Sequence, residues 1–338
     1  MRPTHRSLLT PLLCSAIALA LQGGVHAQDP AKGVPPPAVA AKAPPVPLLW
    51  KVSDEDNEVY LLGSFHLLKP DDYPLSRDVD AAFADAETLV FELPPEEMSS
   101  PQLGIQMAQA ATQSGGKRLN DELPPATVAK LDAWTGANAE SLRKMALPAQ
   151  ALQMFEPWFV GLMVTITELT KQGLDPKLGL DAHLASKAAR AAKPTAGFET
   201  GAEQIAFLDG MGREEQLQFL DEALTESEEG REEMRKLHDA WRAGDADTLW
   251  NEMALEMRQQ YPQLYRRINV ERNDAWLPEI EQRMKAGRDD TLVVVGALHL
   301  LGEDGVVEKL RAKGYEVERI CSACGAAAAG KPAKPKVD

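Results

Sequence analysis

The sequence predicts an α/β fold: one domain whose central mixed β-sheet is built from both ends of the chain, with a largely helical insertion between them. Three observations point there. Residues 59–68 (VYLLGSFHLL) and 292–301 (LVVVGALHLL) are apolar runs of strand length that each end in Gly-x-x-His-Leu-Leu. Continuous apolar runs bounded by glycine read as strands buried on both faces. Between them, the middle of the chain carries apolar residues at three- and four-residue spacing, the period of helices packed on a core. The two runs share one pattern yet lie far apart in sequence. A single sheet that both ends complete brings them together, and a split into two domains does not.

Taken in order, strands at 48–52 and 58–62 flank Ser53-Asp54-Glu55-Asp56-Asn57, a turn that makes them a hairpin. A helix over 76–86 follows, with Ser76 as N-cap. Residues 88–93 (TLVFEL) form a third strand, ended by Pro94-Pro95. Helices are predicted at 124–134, 139–145 and 149–170, the last kinked or split by Pro157. Residues 181–192 form another helix, and 193–198 a short strand leading to Glu199. Further helices cover 202–209, 214–225, 229–243, 246–257 and 269–285. Strand 291–295, helix 306–313 and strand 315–320 complete the domain.

The chain ends read differently. Arg2 and Arg6 precede an apolar stretch over 8–21, and Val25-His26-Ala27 resembles a signal-peptidase site. Residues 1–27 are therefore predicted to be a signal peptide, which makes the protein periplasmic or secreted. Cys14 lies inside the apolar stretch with no small residue before it, so it does not read as a lipid attachment site. Residues 28–47 are Pro/Ala-rich and predicted to be a disordered linker, as are 325–338 as a tail, leaving 48–324 as the folded domain. Only Cys321 and Cys324 survive cleavage, and in an oxidising compartment they can close a small disulfide. A structural zinc site would need a second ligand pair, and none stands at a suitable spacing. No later segment is apolar enough to anchor the mature protein in a membrane.

Removal of Arg2 and Arg6 leaves 34 basic side chains against 51 acidic, a net charge of −17. That argues against nucleic acid and anionic membrane surfaces as partners.

Chemistry concentrates at predicted strand ends. His66 and His299 stand at the ends of the two apolar runs, and Glu92 stands at the end of the third strand. The carboxyl ends of strands in an open α/β sheet are where ligands bind. Two imidazoles and a carboxylate suit a divalent transition metal that activates water. Glu92 is then a ligand or the general base. Taken singly, a strand-end histidine is more often an ordinary hydrogen-bonded residue; the repeated pattern favours function for the pair. Asp181 and Glu199 sit at element boundaries, and by position alone both read as helix caps. Arg272 and Asn273 lie on a helix and could contact solvent, orient a carboxylate or stabilise an oxyanion. His183 and His238 lie in charged helical stretches and are expected to be solvated. G-x-S-x-G, H-E-x-x-H and P-loop motifs are absent, so serine hydrolase, zincin and nucleotide hydrolase readings lack support.

At these residues the chain resembles the TraB/GumN family, which includes the TIKI proteins. The resemblance is carried by LLGSFHLL (61–68), LVFEL (89–93), GLDAHL (179–184), GFETGAEQIAFLD (197–209), ERNDAW (271–276) and VVVGALHLLGEDGVVEKLRAKGYEV (293–317). It implies a fold related to the erythromycin esterase/ChaN-like group. Through the TIKI proteins it implies metal-dependent proteolysis using His66, His299 and Glu92, with Mn or Co favoured; Zn completes the set of candidate ions. The expected function is a secreted metal-dependent hydrolase acting on a peptide or small molecule, supported by Arg272 and Glu199. The alternative is a non-catalytic periplasmic protein that sequesters a peptide, metal or haem in the same cleft.

Overall fold

Six strands form one mixed sheet. The computed structural model describes residues 42–229, 231–286 and 288–324. The predicted signal peptide (1–27), most of the predicted linker (28–41) and the predicted tail (325–338) lie outside the described residues. Strands β1 (Leu49–Ser53) and β2 (Glu58–Ser64) are the expected antiparallel hairpin, with Val52 opposite Val59. Strand β6 (Glu316–Arg319) adds to β1, also antiparallel.

The other half is parallel. Strand β5 (Thr291–Gly296) lies between β2 and β3 (Thr88–Phe91), and β4 (Thr195–Gly197) closes the edge beside β3. Every residue of β5 is buried, as is all of β2 beyond Glu58. This explains why both read as unbroken apolar runs: helices and loops cover both faces, so neither strand has a wet side that would call for alternation. The register sets Gly63 beside Val295 and Ser64 beside Gly296, so the two Gly-x-x-His motifs leave the sheet side by side. A Cβ on Gly63 would stand 3.2 Å from the Cα of Ala297, so a larger residue there would have to push the two motifs apart by a few tenths of an ångström.

The helical middle follows the apolar period with local departures. Pro157 splits the predicted 149–170 helix into Ala149–Leu152 and Pro157–Lys171, standing in the first turn of the second, where its missing N–H costs nothing. The Pro157–Lys171 helix is buried on nearly all sides and packs along Arg213–Glu229. A helix at Pro101–Ala110, unassigned by sequence pattern, starts where the Ser100 hydroxyl accepts from the Gln102 amide and buries Leu103 and Met107. The predicted 246–257 helix is instead Ala246–Leu249 followed by π-helical turns over Trp250–Leu255. A second π-helical stretch, Arg266–Val270, leads into the Glu271–Ala286 helix. Among the described residues no helix is long and apolar enough to cross a membrane.

Order begins before Leu48. Pro45 and Pro47 are buried, the Val46 amide donates to the Arg242 carbonyl at 2.7 Å, and Lys42 pairs with Asp71. The end of the predicted linker thus lies along the domain as an extended strap, because two prolines find apolar cover and the chain's N–H finds a helix-end carbonyl. Cys321 and Cys324 are joined in a disulfide.

His238 corrects the expectation of solvation. It is buried, and its Nε2 lies 2.8 Å from the carboxylate of fully buried Asp72, which also receives Arg242 and the Lys69 amide. Met234, Leu237, His238 and Trp241 fall on one helical face, and that spacing, rather than the charged neighbours, decides which way His238 points. His183 stacks on Tyr73 at 4.3 Å and is half-buried. Burial pushes the Asp72 carboxyl up, but the hydrogen bonds from His238, Lys69 and Arg242 outweigh it and hold it below the usual carboxylate range. A depressed carboxylate stabilises the fold above its unfolded value, near pH 4, and that contribution is lost as pH falls through the folded value. Asp72→Asn is therefore expected to lower stability at pH 7 and to flatten its decline below about pH 4, as read by urea unfolding across a pH series. An unchanged acid slope would show that Asp72 does not carry this linkage.

Candidate active site

The four parallel strands end at one edge of the sheet, and each delivers a functional side chain within three residues of its last position. In sheet order these are Glu199 after β4, Glu92 after β3, His299 after β5 and His66 after β2. His299 lies in a single 3₁₀ turn, Ala297–Leu300. The backbone continues the register past the sheet, since the Glu199 amide donates to the Glu92 carbonyl at 2.9 Å. All four residues are buried, as is Arg272, which enters from the Glu271–Ala286 helix. The five predicted site residues thus meet in one place.

Glu92 is the centre. Its Oε1 accepts the Gly296 amide at 2.7 Å and lies 3.8 Å from both His66 Nε2 and His299 Nε2. Its Oε2 accepts from Arg272 Nη2 at 2.6 Å. Arg272 also donates Nε and Nη2 to the two oxygens of Glu199, at 2.7 and 2.8 Å, in a bidentate pair. Its Nη1 donates to the Ile268 carbonyl and faces His299 Nε2, each at 3.2 Å. Trp276 donates its indole N–H to Glu199 and packs against the His299 ring, with centroids 4.5 Å apart. Gln204 donates to Glu199 at 3.0 Å.

Each imidazole is oriented through its far nitrogen. His66 Nδ1 meets Asp181 at 2.7 Å, and Asp181 also accepts the Ser64 hydroxyl. His299 Nδ1 meets the Asn273 side-chain oxygen at 2.7 Å, while the Asn273 amide donates to the Asp304 carbonyl, which settles which end of the amide faces the ring. With Nδ1 committed in this way, both rings turn Nε2 toward Glu92. Metal-binding histidines are usually held by the same kind of outer partner. His66 Nε2 is buried and has no hydrogen-bond partner.

Asp181 and Glu199 are not helix caps. Gly179 caps the Leu180–Arg190 helix and Thr200 caps Gly201–Asp209. Gly179 packs against the His66 carbonyl so closely that a Cβ would lie 2.1 Å from its oxygen. That contact brings the helix start to the His66 loop and aims Asp181 at the ring. Asn273 and Asp181, candidates in the sequence, and Gln204 and Trp276, which the sequence pattern does not single out, complete the site. The readable signal for two of them was helical spacing: Asn269, Arg272, Asn273 and Trp276 share one buried face.

The electrostatics follow from burial. Three buried carboxylates, Asp181, Glu92 and Glu199, face the Arg272 guanidinium and the His66 imidazole, which is protonated at neutral pH, so with the three carboxylates ionised the cluster carries −1. Burial, resisted by Arg272, pushes the Glu92 carboxyl up. Burial alone would push His66 down, but Asp181 and Glu92 outweigh it and raise the imidazole to about 9. Burial, Arg272 and His66 together hold His299 well below the ordinary histidine range, so it is neutral. Asp181 is pushed up by burial but held low by His66 and Ser64.

Among the described residues, the one set of three acidic, imidazole or thiol donors mutually within 4.8 Å is Glu58, Asp85 and Asp290. It lies at the opposite end of the strands, where Lys51 and Tyr60 already hold Glu58. His66, Glu92 and His299 fall outside that spacing, which places the two imidazole nitrogens more than 4.8 Å apart on either side of Glu92 Oε1. The donor set still fits a divalent ion: it has an unpartnered buried Nε2, a second oriented imidazole, a carboxylate between them and a net negative charge. Closing on one ion requires the rings to draw in toward Glu92.

Compared with known proteins, the sequence matches the TraB/PrgY/gumN family over residues 48–319. It is 25% identical over 252 residues to proteins described as "Uncharacterized protein YbaP" from Escherichia coli (strain K12) and from Shigella flexneri, covering 75% of this chain and 87% of each relative. No solved structure matches. The family match spans β1 through β6 and every residue of the buried cluster, and on it the chain belongs to the TraB/PrgY/gumN family.

Proposed function

We propose that this protein is an exported metal-dependent hydrolase acting on peptides, with His66, Glu92 and His299 as the residues that hold the ion. The observation that carries this reading is the unpartnered Nε2 of His66, buried 3.8 Å from a Glu92 oxygen that stands equally far from His299 Nε2. Polarisation of a scissile carbonyl and acidification of water are what a divalent ion supplies when bound. Glu92, its carboxyl pushed up by burial, takes the proton of the attacking water and returns it to the leaving amine. Arg272 fixes Glu92 through Oε2, leaving Oε1 toward the histidines. Asp181 and Asn273 hold the two rings in the tautomer that offers Nε2. Export is supported by the N-terminal sequence pattern and by the Cys321–Cys324 disulfide, which suits an oxidising compartment.

The test uses residues 28–338, titrated with Mn, Co and Zn by calorimetry and screened against a peptide library. Stoichiometric binding is expected in the wild type and is expected to vanish in His66→Ala/His299→Ala. Glu92→Gln is expected to lower hydrolysis of a responsive peptide by about 10²–10⁴-fold, the range for loss of a general base. Full activity in Glu92→Gln, or hydrolysis that survives the double substitution, would overturn the proposal. Stoichiometric peptide or haem binding without turnover would instead assign the cleft to sequestration.

A further inference from the structure

Arg272 places a positive charge where the site, on the reading above, receives a cation. Its contacts form two sets. The bidentate pair to Glu199 and the bond to the Ile268 carbonyl tie the guanidinium to its own side of the site. The bonds to Glu92 Oε2 and toward His299 Nε2 reach across to the proposed ion-holding residues. The contact to His299 is separable from the first set: the guanidinium is rigid and stays on Glu199, and the His299 ring can draw away from Nη1 toward Glu92. The guanidinium is also steadied by the faces of Trp276 and Phe207, 4.9 and 5.3 Å from its carbon. His299 Nδ1 is committed to the Asn273 side-chain oxygen, so Nε2, which faces Arg272 Nη1, is the one ring nitrogen left to meet a cation and can be directed at only one at a time.

We infer that Arg272 is a resident counter-cation that holds the buried carboxylates and His299 together when no ion is present, and that an entering divalent ion must take His299 Nε2 from it. The inference rests on the proposed metal site and adds a competition within it. Three consequences follow. The protein folds without metal, because the cluster already contains a cation. Ion affinity is held down by the guanidinium, through like-charge repulsion and through occupation of a ligand lone pair. Removing the guanidinium makes the fold depend on the ion.

The test is Mn²⁺ binding to residues 28–338 after chelator treatment, by calorimetry and by the shift in thermal midpoint on adding Mn²⁺. Arg272→Gln is expected to bind Mn²⁺ at least about tenfold more tightly than wild type, because a charge–charge repulsion is removed. It should also show the larger Mn²⁺-induced rise in midpoint. If Arg272→Gln fails to fold without metal, Arg272→Lys carries the comparison. It keeps the charge but lacks the fork that bridges Glu199 and His299, so it frees the imidazole and is also expected to bind more tightly than wild type. Binding no tighter than wild type in the folded variant overturns the inference while leaving the metal site standing. No binding by wild type or variant overturns both, and binding by the variant alone supports the competition in its strongest form.

Discussion

Replacing Glu199 with alanine is expected to lower the unfolding free energy by about 3–5 kcal/mol, the usual cost of breaking a buried ion pair from one side. Glu199 accepts from Arg272 through both oxygens, from the Trp276 indole and from Gln204. Without it the guanidinium keeps Glu92 but loses the bidentate partner that fixes its plane. The Trp276 indole N–H is then stranded away from water, and the Gln204 amide is left with only its 3.5 Å contact to Glu92. An unsatisfied buried donor costs on the order of 1–3 kcal/mol by itself, so the ion pair and the stranded donor act in the same direction. Glu199→Gln keeps one acceptor oxygen and the side-chain volume and is expected to lose less. Urea unfolding in the presence of a chelator measures both. A loss below about 1 kcal/mol for Glu199→Ala, the range of an exposed pair, would mean that Arg272 is held by Glu92 and the Ile268 carbonyl alone.

The contrast between Glu199 and His66 shows what was legible in the sequence and what was not. His66, Glu92 and His299 follow apolar runs whose strand character is local, so their place at the carboxyl edge of a parallel sheet could be read directly. The sheet itself was legible for the same reason: β2 and β5 announce their double burial through unbroken apolar sequence. By position alone Asp181 and Glu199 read as caps, because a carboxylate beside a helix start satisfies the capping pattern whatever it touches in three dimensions; it is the family resemblance that puts Glu199 at the site. Their true partners, His66 and Arg272, are 115 and 73 residues away. What selects those partners is the approach of Gly179 to the His66 carbonyl and the continuation of the β3–β4 register past the sheet. Neither leaves a local mark. His238 is the opposite case: its buried face is legible from the spacing of Met234, Leu237 and Trp241, but the surrounding charges mask it. The π-helical turns at Trp250–Leu255 and Arg266–Val270 have no simple periodic signature, since a single wide turn shifts the helical face only locally.

Asp181→Ala separates a residue that acts through His66 from one that merely faces a helix start. As a charge near the N-terminus of the Leu180–Arg190 helix, Asp181 would contribute about 0.3–1 kcal/mol of stability and nothing to ion binding. As the acceptor for His66 Nδ1–H and the Ser64 hydroxyl, it fixes which nitrogen of His66 faces Glu92. Its loss is then expected to lower metal affinity or turnover about 10–100-fold, as for other residues that orient a metal-binding imidazole. Stability should fall by about 1–3 kcal/mol for the donors left unpaired. The two effects also differ in their response to Asp181→Asn. Its side-chain oxygen can still accept from Nδ1–H, so most of the tautomer control survives although the negative charge is gone. Calorimetric Mn²⁺ affinity on Asp181→Ala and Asp181→Asn, with urea unfolding of both, makes the distinction. Affinity that falls in the alanine variant and largely recovers in the asparagine variant assigns Asp181 to orienting His66. Equal affinity in all three proteins returns it to the helix, and the unpartnered Nε2 of His66 must then be aimed by the packing of the 65–68 loop alone.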